Sequence, residues 1–390
     1  MLKFWLWLAE LPGLSNQLRL ALLRHFGTPE NVFYADSGEI LLTEGISVES
    51  AVLLKNHDLT TAERILAECQ RLSQHILTIQ DAAYPSRLKN IYDPPCLLYW
   101  KGHLPAFDEE LAVAVVGTRT CTPYGVSCAE KLGYGLAGGG AMVVSGLAKG
   151  IDGAAIRGAL RAGGITAGVV GGGLDVQYPY ENRYLYEDMA AAGVLLSEYP
   201  PGTEPAGRHF PARNRILSGL CAAALVVEAP ERSGALITAE TALEQGRDLF
   251  AVPGPIDAPA SVGCNRLIRE GAGLVTDAWD ILCEYEARFP EKLRETPARQ
   301  TPKTLGYQAR TVTPPKEVAP TLSLSAASLT DDQIALLRVL SDEEETLVDD
   351  LIEKTGIPTR RVLSALTVLE IENLVRQHSG KRYTRAVTLV

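Results

Sequence analysis

Apolar positions recur at helical spacing through residues 1 to about 78, shorten into continuous runs to about 285, and return to helical spacing from about 329. In the first region, stretches such as "SNQLRLALLRHF" and "TTAERILAECQRLSQ" are broken by "PG", "FGTPE" and "EGIS". This predicts an all-helical domain over residues 1–78. Two breaks, "LPGLS" and "LTEGIS", precede helix-like runs and read as small helix-turn-helix units. Such turns either grip a DNA backbone through helix N-terminal amides or, more commonly, only connect helices.

The middle, residues 79–285, alternates helical runs with "LAVAVVG", "AMVVSG", "ITAGVVGG", "GVLLSE", "AAALVVEA", "DLFAVPG" and "AGLVT". Such Val-, Leu- and Ala-rich runs predict strands buried on both faces, hence a mostly parallel sheet covered by helices. Several runs end in glycine or proline, and ligands of these sheets collect at the carboxyl ends of strands. From 286 to 328, Pro290, Pro297, Pro302, Pro314, Pro315 and Pro320 punctuate a polar stretch that reads as a linker. Residues 329–390 then hold three helical runs and two short strand-like runs around Gly380, the pattern of a winged helix. Thr359, Arg360 and Arg361 open its third helix, where a recognition helix presents residues to DNA. Acids crowding Asp342 to Asp350 favour a compact interaction module over duplex binding.

Composition narrows the classes. At 390 residues, 46% hydrophobic and 22% charged, the chain reads as two or three soluble domains. A net charge of −10 argues against coating nucleic acid by bulk charge, yet permits a local basic groove. Seven scattered cysteines without a C-x-x-C pair describe reduced thiols in a cytoplasmic protein, with no metal site. The start, "MLKFWLWLAELPGL", reads as an ordinary helix, because acid and proline follow at once and no cleavage site appears. No run approaches the ~20 apolar residues of a membrane span, so no membrane insertion is expected.

The obvious motifs are decoys or absent. A G-x-G-x-x-G at Gly133, Gly135 and Gly138 lies inside a helical run, away from any strand-to-helix turn, so it cannot bring amides onto a pyrophosphate. There is no Walker lysine loop, nucleophile elbow or H-E-x-x-H, and no spacing pairs the carboxylates as acid and base. Asp152 is expected to cap the helix that follows "SGLAKG".

What remains is a row of strand-end sites for phosphate. The first is "VVGTRT" with Gly117, Thr118 and Arg119; the second is "SGLAKGID" with Ser145, Gly146, Lys149 and Gly150. The third, "VVGGGLDVQYPYEN", holds Gly172, Gly173, Tyr178 and Asn182. The fourth, "RHFPARNRILSGL", holds Arg208, Arg213, Asn214 and Arg215, with no acid between Pro205 and Val227. Several spaced cations suit a chain of phosphates better than one, and such binding weakens steeply with salt.

The blocks "VVGTRTCTPYG", "VVSGLAKGIDGAAIRGAL", "GGGLDVQYPYENRYL", "SEYPPGTEP", "FPARNRILSGL", "ERSGALITAETALEQGRDLFAVPG" and "GCNRLIREGA" closely resemble the DNA-processing protein A family (DprA, also called Smf), in consistent order over about 80–285. The helical start resembles that family's SAM-like or helix-hairpin-helix domain, and the end its winged-helix domain. The resemblance implies an α/β fold with an extended Rossmann-like, mostly parallel sheet. It implies a non-catalytic, dimeric protein that binds single-stranded DNA and loads the RecA recombinase during natural transformation, without a cofactor. The family's DNA-contacting arginine and lysine fall on Arg119 and Lys149, its turn glycines on Gly117, Gly146 and Gly150, its "YP-x-EN" asparagine on Asn182, and its "RNR" element on Arg213, Asn214 and Arg215. One departure is Ile156, where the family usually has histidine after "GID-x-AA"; the small residue before it is Gly153. A rival reading is a nucleotide- or nucleoside-phosphate-binding enzyme of the lysine-decarboxylase-like Rossmann group. Ser233, Gly234, Thr238 and Glu240 are spaced unlike that group's element.

Overall fold

A helix that is apolar all round belongs inside a core, and the first one obeys this rule. In the computed structural model, which describes residues 1–295, 321–322, 329–342, 346–372, 374–378 and 382–389, helix α1 (Leu2–Glu10) buries Phe4 through Leu8 without a break. Around it lie α2 (Asn16–Phe26), α3 (Pro29–Tyr34), α4 (Ser37–Leu41), α5 (Val48–Leu53) and α6 (Thr60–Arg71). The polar breaks supply their N-caps: Ser15, Thr28, Asp36 and Ser47 each accept from a first-turn amide. Residues 27–53 carry five acidic and no basic side chains, so these turns are poorly suited to a phosphate backbone.

The chain divides into two compact units, Met1–Ala309 and Arg310–Val390. The first is built on a nine-stranded sheet, with strands β1 (His75–Thr78), β2 (Leu97–Gly102), β3 (Ala112–Val116), β4 (Met142–Ser145), β5 (Thr166–Val170), β6 (Val194–Ser197), β7 (Ala223–Val226), β8 (Asp248–Ala251) and β9 (Gly273–Leu274). Their order is β1-β2-β6-β5-β4-β3-β7-β8-β9. All seven strand candidates form strands, and these pair in parallel from β6 to β9. The edge strands β1 and β2 are antiparallel and were not among the candidates. β1 also starts before the expected boundary at residue 78, and one continuous apolar core joins the N-terminal helices to the sheet. From β3 the chain winds outward through β4 and β5 to β6, then returns to the other side of β3 with β7. That reversal opens a crevice at the carboxyl ends of the central strands.

Helices α7 (Ser86–Lys89), α8 (Pro123–Gly138), α9 (Ile151–Arg161), α10 (Arg183–Ala192), α11 (His209–Gly219), α12 (Gly234–Glu244), α13 (Val262–Arg269) and α14 (Trp279–Leu282) complete this unit. The G-x-G-x-x-G decoy lies in α8, where it serves packing. A Cβ on Gly133 would sit 2.2 Å from the Ala155 carbonyl oxygen of α9. One on Gly158 of α9 would meet the Glu130 carbonyl of α8 at the same distance. Gly133→Ala is therefore expected to force the two helices apart at a cost of about 2 kcal/mol, read as a lower denaturation midpoint with an unchanged slope.

The expected linker begins later than residue 286. Phe289 and Leu293 are buried in the same core, and Lys292 pairs with Glu110 at 2.6 Å. Of the remaining linker, residues 296–320 and 323–328 lie outside the described residues. The second unit contains β10 (Thr321–Leu322), α15 (Asp331–Val339), β11 (Thr346–Leu347), α16 (Val348–Thr355), α17 (Thr359–Ile371), β12 (Val375–His378), β13 (Arg382–Arg385) and β14 (Thr388–Leu389). Strands β11, β13 and β12 form one small antiparallel sheet beside three helices with their own core. Thr359 and Arg360 open α17 in exposed positions, whereas Arg361 is tied to Asp332 of α15 at 2.7 Å.

Candidate nucleic-acid interface

The turns after β3 and β4 interlock. Gly117 must be glycine because a Cβ there would lie within 2.8 Å of the Ile151 side chain. Gly150, at φ +86°, lets the second turn pass the Thr118 carbonyl, and Ile151 donates to that same oxygen at 3.4 Å. The second turn also holds Leu147 in the left-handed region at φ +56°, a conformation that L residues adopt only when their surroundings enforce it. The Leu147 side chain is wholly buried. Asn182 donates to the carbonyls of Leu147 (3.0 Å) and Ala148 (2.8 Å), which pins the loop. Lys149 is thereby presented outward from a rigid turn.

Asp152 does not cap its helix as expected. Gly150 occupies that position, and Asp152 instead accepts from the Gly146 and Ala148 amides, at 3.2 and 3.3 Å. The Gly146 amide is therefore engaged inside the protein and is not offered to a ligand. Burial raises the Asp152 carboxyl above its ordinary range, opposed by the Arg213 charge and the two amides. Arg213, only 5% exposed, has its guanidinium pKa lowered by the same loss of water. Its Nη1 donates to the Gly146 carbonyl at 2.6 Å and to the Val169 carbonyl, joining the ends of β4 and β5 to α11. A Cβ on Gly146 would collide with this guanidinium.

The strand-end residues thus separate into two groups. Arg215 is held by Glu198 (2.7 Å) and Asp93 (3.0 Å) and is largely buried. Ser145 donates to the Val115 carbonyl at 2.8 Å. The Gly172 carbonyl accepts from Ser197, and the Gly173 amide donates to Thr203. Asn214 accepts from Arg213, and the Thr118 amide donates to Glu228. These groups build the edge of the sheet. Facing outward are Arg119 and Lys149, both exposed; Arg208 is exposed too, but lines neither of the hollows at this edge.

Arg119 and Lys149 line one cavity of about 950 Å³ at the carboxyl ends of β3, β4 and β5. Gly146, Gly150, Asn182 and Arg213 also reach its wall. A second hollow of about 370 Å³ lies beside it at the crossing point, with Gly117, Thr118, Asn214 and Arg232 on its wall. Arg119 and Phe210 belong to both. The Arg119 guanidinium lies over the Phe210 ring at 4.7 Å, and Tyr178 continues the row with its centroid 5.9 Å from Phe210. Lys149 pairs with Glu181 at 3.0 Å, both exposed. A bond from its own backbone amide, then the Lys149 ammonium, hold the Glu181 carboxyl below its ordinary range.

Phe210, in "RHFPARNR", lines both hollows and carries no charge by which a count of cations could find it. Its signal was an aromatic amid cations and glycines. Ile156 is fully buried and absent from the cavity wall, so the departure from the usual histidine falls inside the core.

A reversing, mostly parallel sheet with its cleft at the carboxyl edge defines an extended Rossmann-like protein. The chain belongs to the DNA recombination-mediator protein A family, whose sequence model matches residues 75–308; a second model, the DprA winged helix domain, matches residues 319–381. Among its relatives, Protein Smf of Synechocystis sp. is 34% identical over 98% of both chains. DNA processing protein DprA of Streptococcus pneumoniae is 44% identical over 70% of this chain and 95% of its own. The solved structure of S. pneumoniae DprA superposes with a TM-score of 0.65 at 40% identity, covering 73% of this chain and 98% of that one. A Helicobacter pylori DprA structure, described for its single-stranded DNA binding mode, gives a TM-score of 0.50 at 30% identity, covering 55% and 96%.

Proposed function

We propose that this chain is a single-stranded DNA-binding recombination mediator that acts without a catalytic step. The carrying observation is the pairing, at one cavity mouth, of two exposed cations with an aromatic wall: Arg119 laid on Phe210, and Lys149. Phosphates bridge the cations while bases stack against the aromatics, a sequence-tolerant mode. The H. pylori relative, described as a single-stranded DNA binder, supports this ligand. A nucleoside-phosphate enzyme is not favoured, since the relatives are DNA-processing proteins.

Anisotropy titrations with a labelled dT oligomer across salt test the reading. Affinity is expected to fall linearly on logarithmic axes, and single strands should outcompete duplex. A flat salt response, or selective thermal stabilisation by AMP with release of base, would reverse it. Glu181 competes with phosphate for Lys149, so Glu181→Gln should tighten binding about threefold at low salt, and the gain should vanish at high salt.

As partners, the family resemblance supplies the RecA recombinase and a second copy of the chain. Exposed Ile237, Leu243 and Leu274, on α12 and β9, lend apolar surface to a homodimer through the Rossmann-like unit. Sedimentation at micromolar concentration should show a dimer. The cytoplasm is the proposed location; among the described residues no helix is long and apolar enough to cross a membrane.

A further inference from the structure

We infer that Tyr180 is a second base-stacking site, at the rim where a bound strand leaves the cavity; this rests on the single-strand reading above. Tyr180 lines the cavity yet is 70% exposed, so its ring has no part in the core. Ordering an exposed aromatic normally costs side-chain freedom on binding. Here the ring is already backed: the Arg183 guanidinium lies 3.9 Å from its centroid, and Arg183 Nη1 donates to the Tyr180 carbonyl at 3.0 Å. Arg183 is itself held from the other side: its guanidinium lies 4.0 Å from the Tyr184 ring centroid and its Nη2 donates to the Tyr184 hydroxyl. A ring held from one side and exposed is pre-organised to receive a flat ligand.

Location determines which flat ligand. The next residue, Glu181, reaches Lys149 at 3.0 Å, so the phosphate-binding ammonium and the Tyr180 ring share one stretch of rim. A nucleobase whose neighbouring phosphate sits on Lys149 is the ligand class that fits. Duplex bases are already stacked on both faces and cannot use the ring, so the site adds preference for single strands.

The test uses the full chain, 5′-fluorescein dT12 and an abasic oligomer of the same length and charge. Tyr180→Ala is expected to weaken dT12 binding about tenfold, with the salt slope and melting temperature unchanged. Tyr180→Phe should stay within twofold of the parent, and the abasic oligomer should bind parent and alanine variant alike. Equal dT12 affinity for parent and Tyr180→Ala overturns the site. So does an equal loss on the abasic oligomer, which would locate the effect in the backbone contacts. If the parent chain fails to bind dT12 with salt dependence, the single-strand reading itself falls, and the site with it.

Discussion

Arg119→Ala is expected to reduce affinity for a dT oligomer by about 10- to 100-fold, the range of a charge-assisted phosphate bond together with a lost aromatic contact. The side chain stands at the junction of both hollows and covers one face of Phe210. Its removal takes away a phosphate cation and uncovers the ring at once. Because Arg119 is exposed, the melting temperature should stay within a degree or two. The slope of log affinity against log salt should fall by about one. Lys149→Ala should show the same slope change with a smaller loss, since Glu181 already offsets part of its charge. Unchanged affinity in the Arg119 variant would remove the central contact of the proposed interface.

Arg213→Met should give the opposite pattern: a loss of stability of about 3–5 kcal/mol, the usual result of deleting one member of a buried polar network. Two carbonyls at the ends of β4 and β5 lose their donor, and the buried Asp152 loses the positive charge that offsets its desolvation. Arg213→Lys should recover little, because an ammonium lacks the planar fork that reaches both carbonyls. Thermal denaturation reads the result as a fall of several degrees. If Arg213→Met melts like the parent but fails to bind DNA, Arg213 meets the strand directly and the division of the strand-end residues is redrawn.

The parallel strands were legible because burial on both faces leaves an unbroken apolar run, as in "LAVAVVG" and "AAALVVEA". The antiparallel edge was not, because β2 mixes aromatics, lysine and glycine in "LLYWKG" and imitates a turn. Within the site, cations at strand ends marked the right edge of the sheet. What composition lacks is direction: an arginine facing solvent and one fastened to two carbonyls look alike in a sequence. Arg119 and Arg213 separate only when the acids and carbonyls brought near them by folding are known. Tyr180 escaped for a related reason, since nothing in "YPYEN" shows that Arg183 will back its ring.

The continuous core between the N-terminal helices and the sheet has a practical consequence. Asn16 donates to Asp93 and to the Pro94 carbonyl, and Gln17 to the Tyr92 carbonyl, so the seam is stitched by polar bonds over apolar contact. The first 74 residues are consequently a grafted limb and not a detachable module. Any related chain that exchanges this limb for another must bring a matching oily face and matching amides. A chain cut at the seam would lay open the apolar core that the limb and the sheet share.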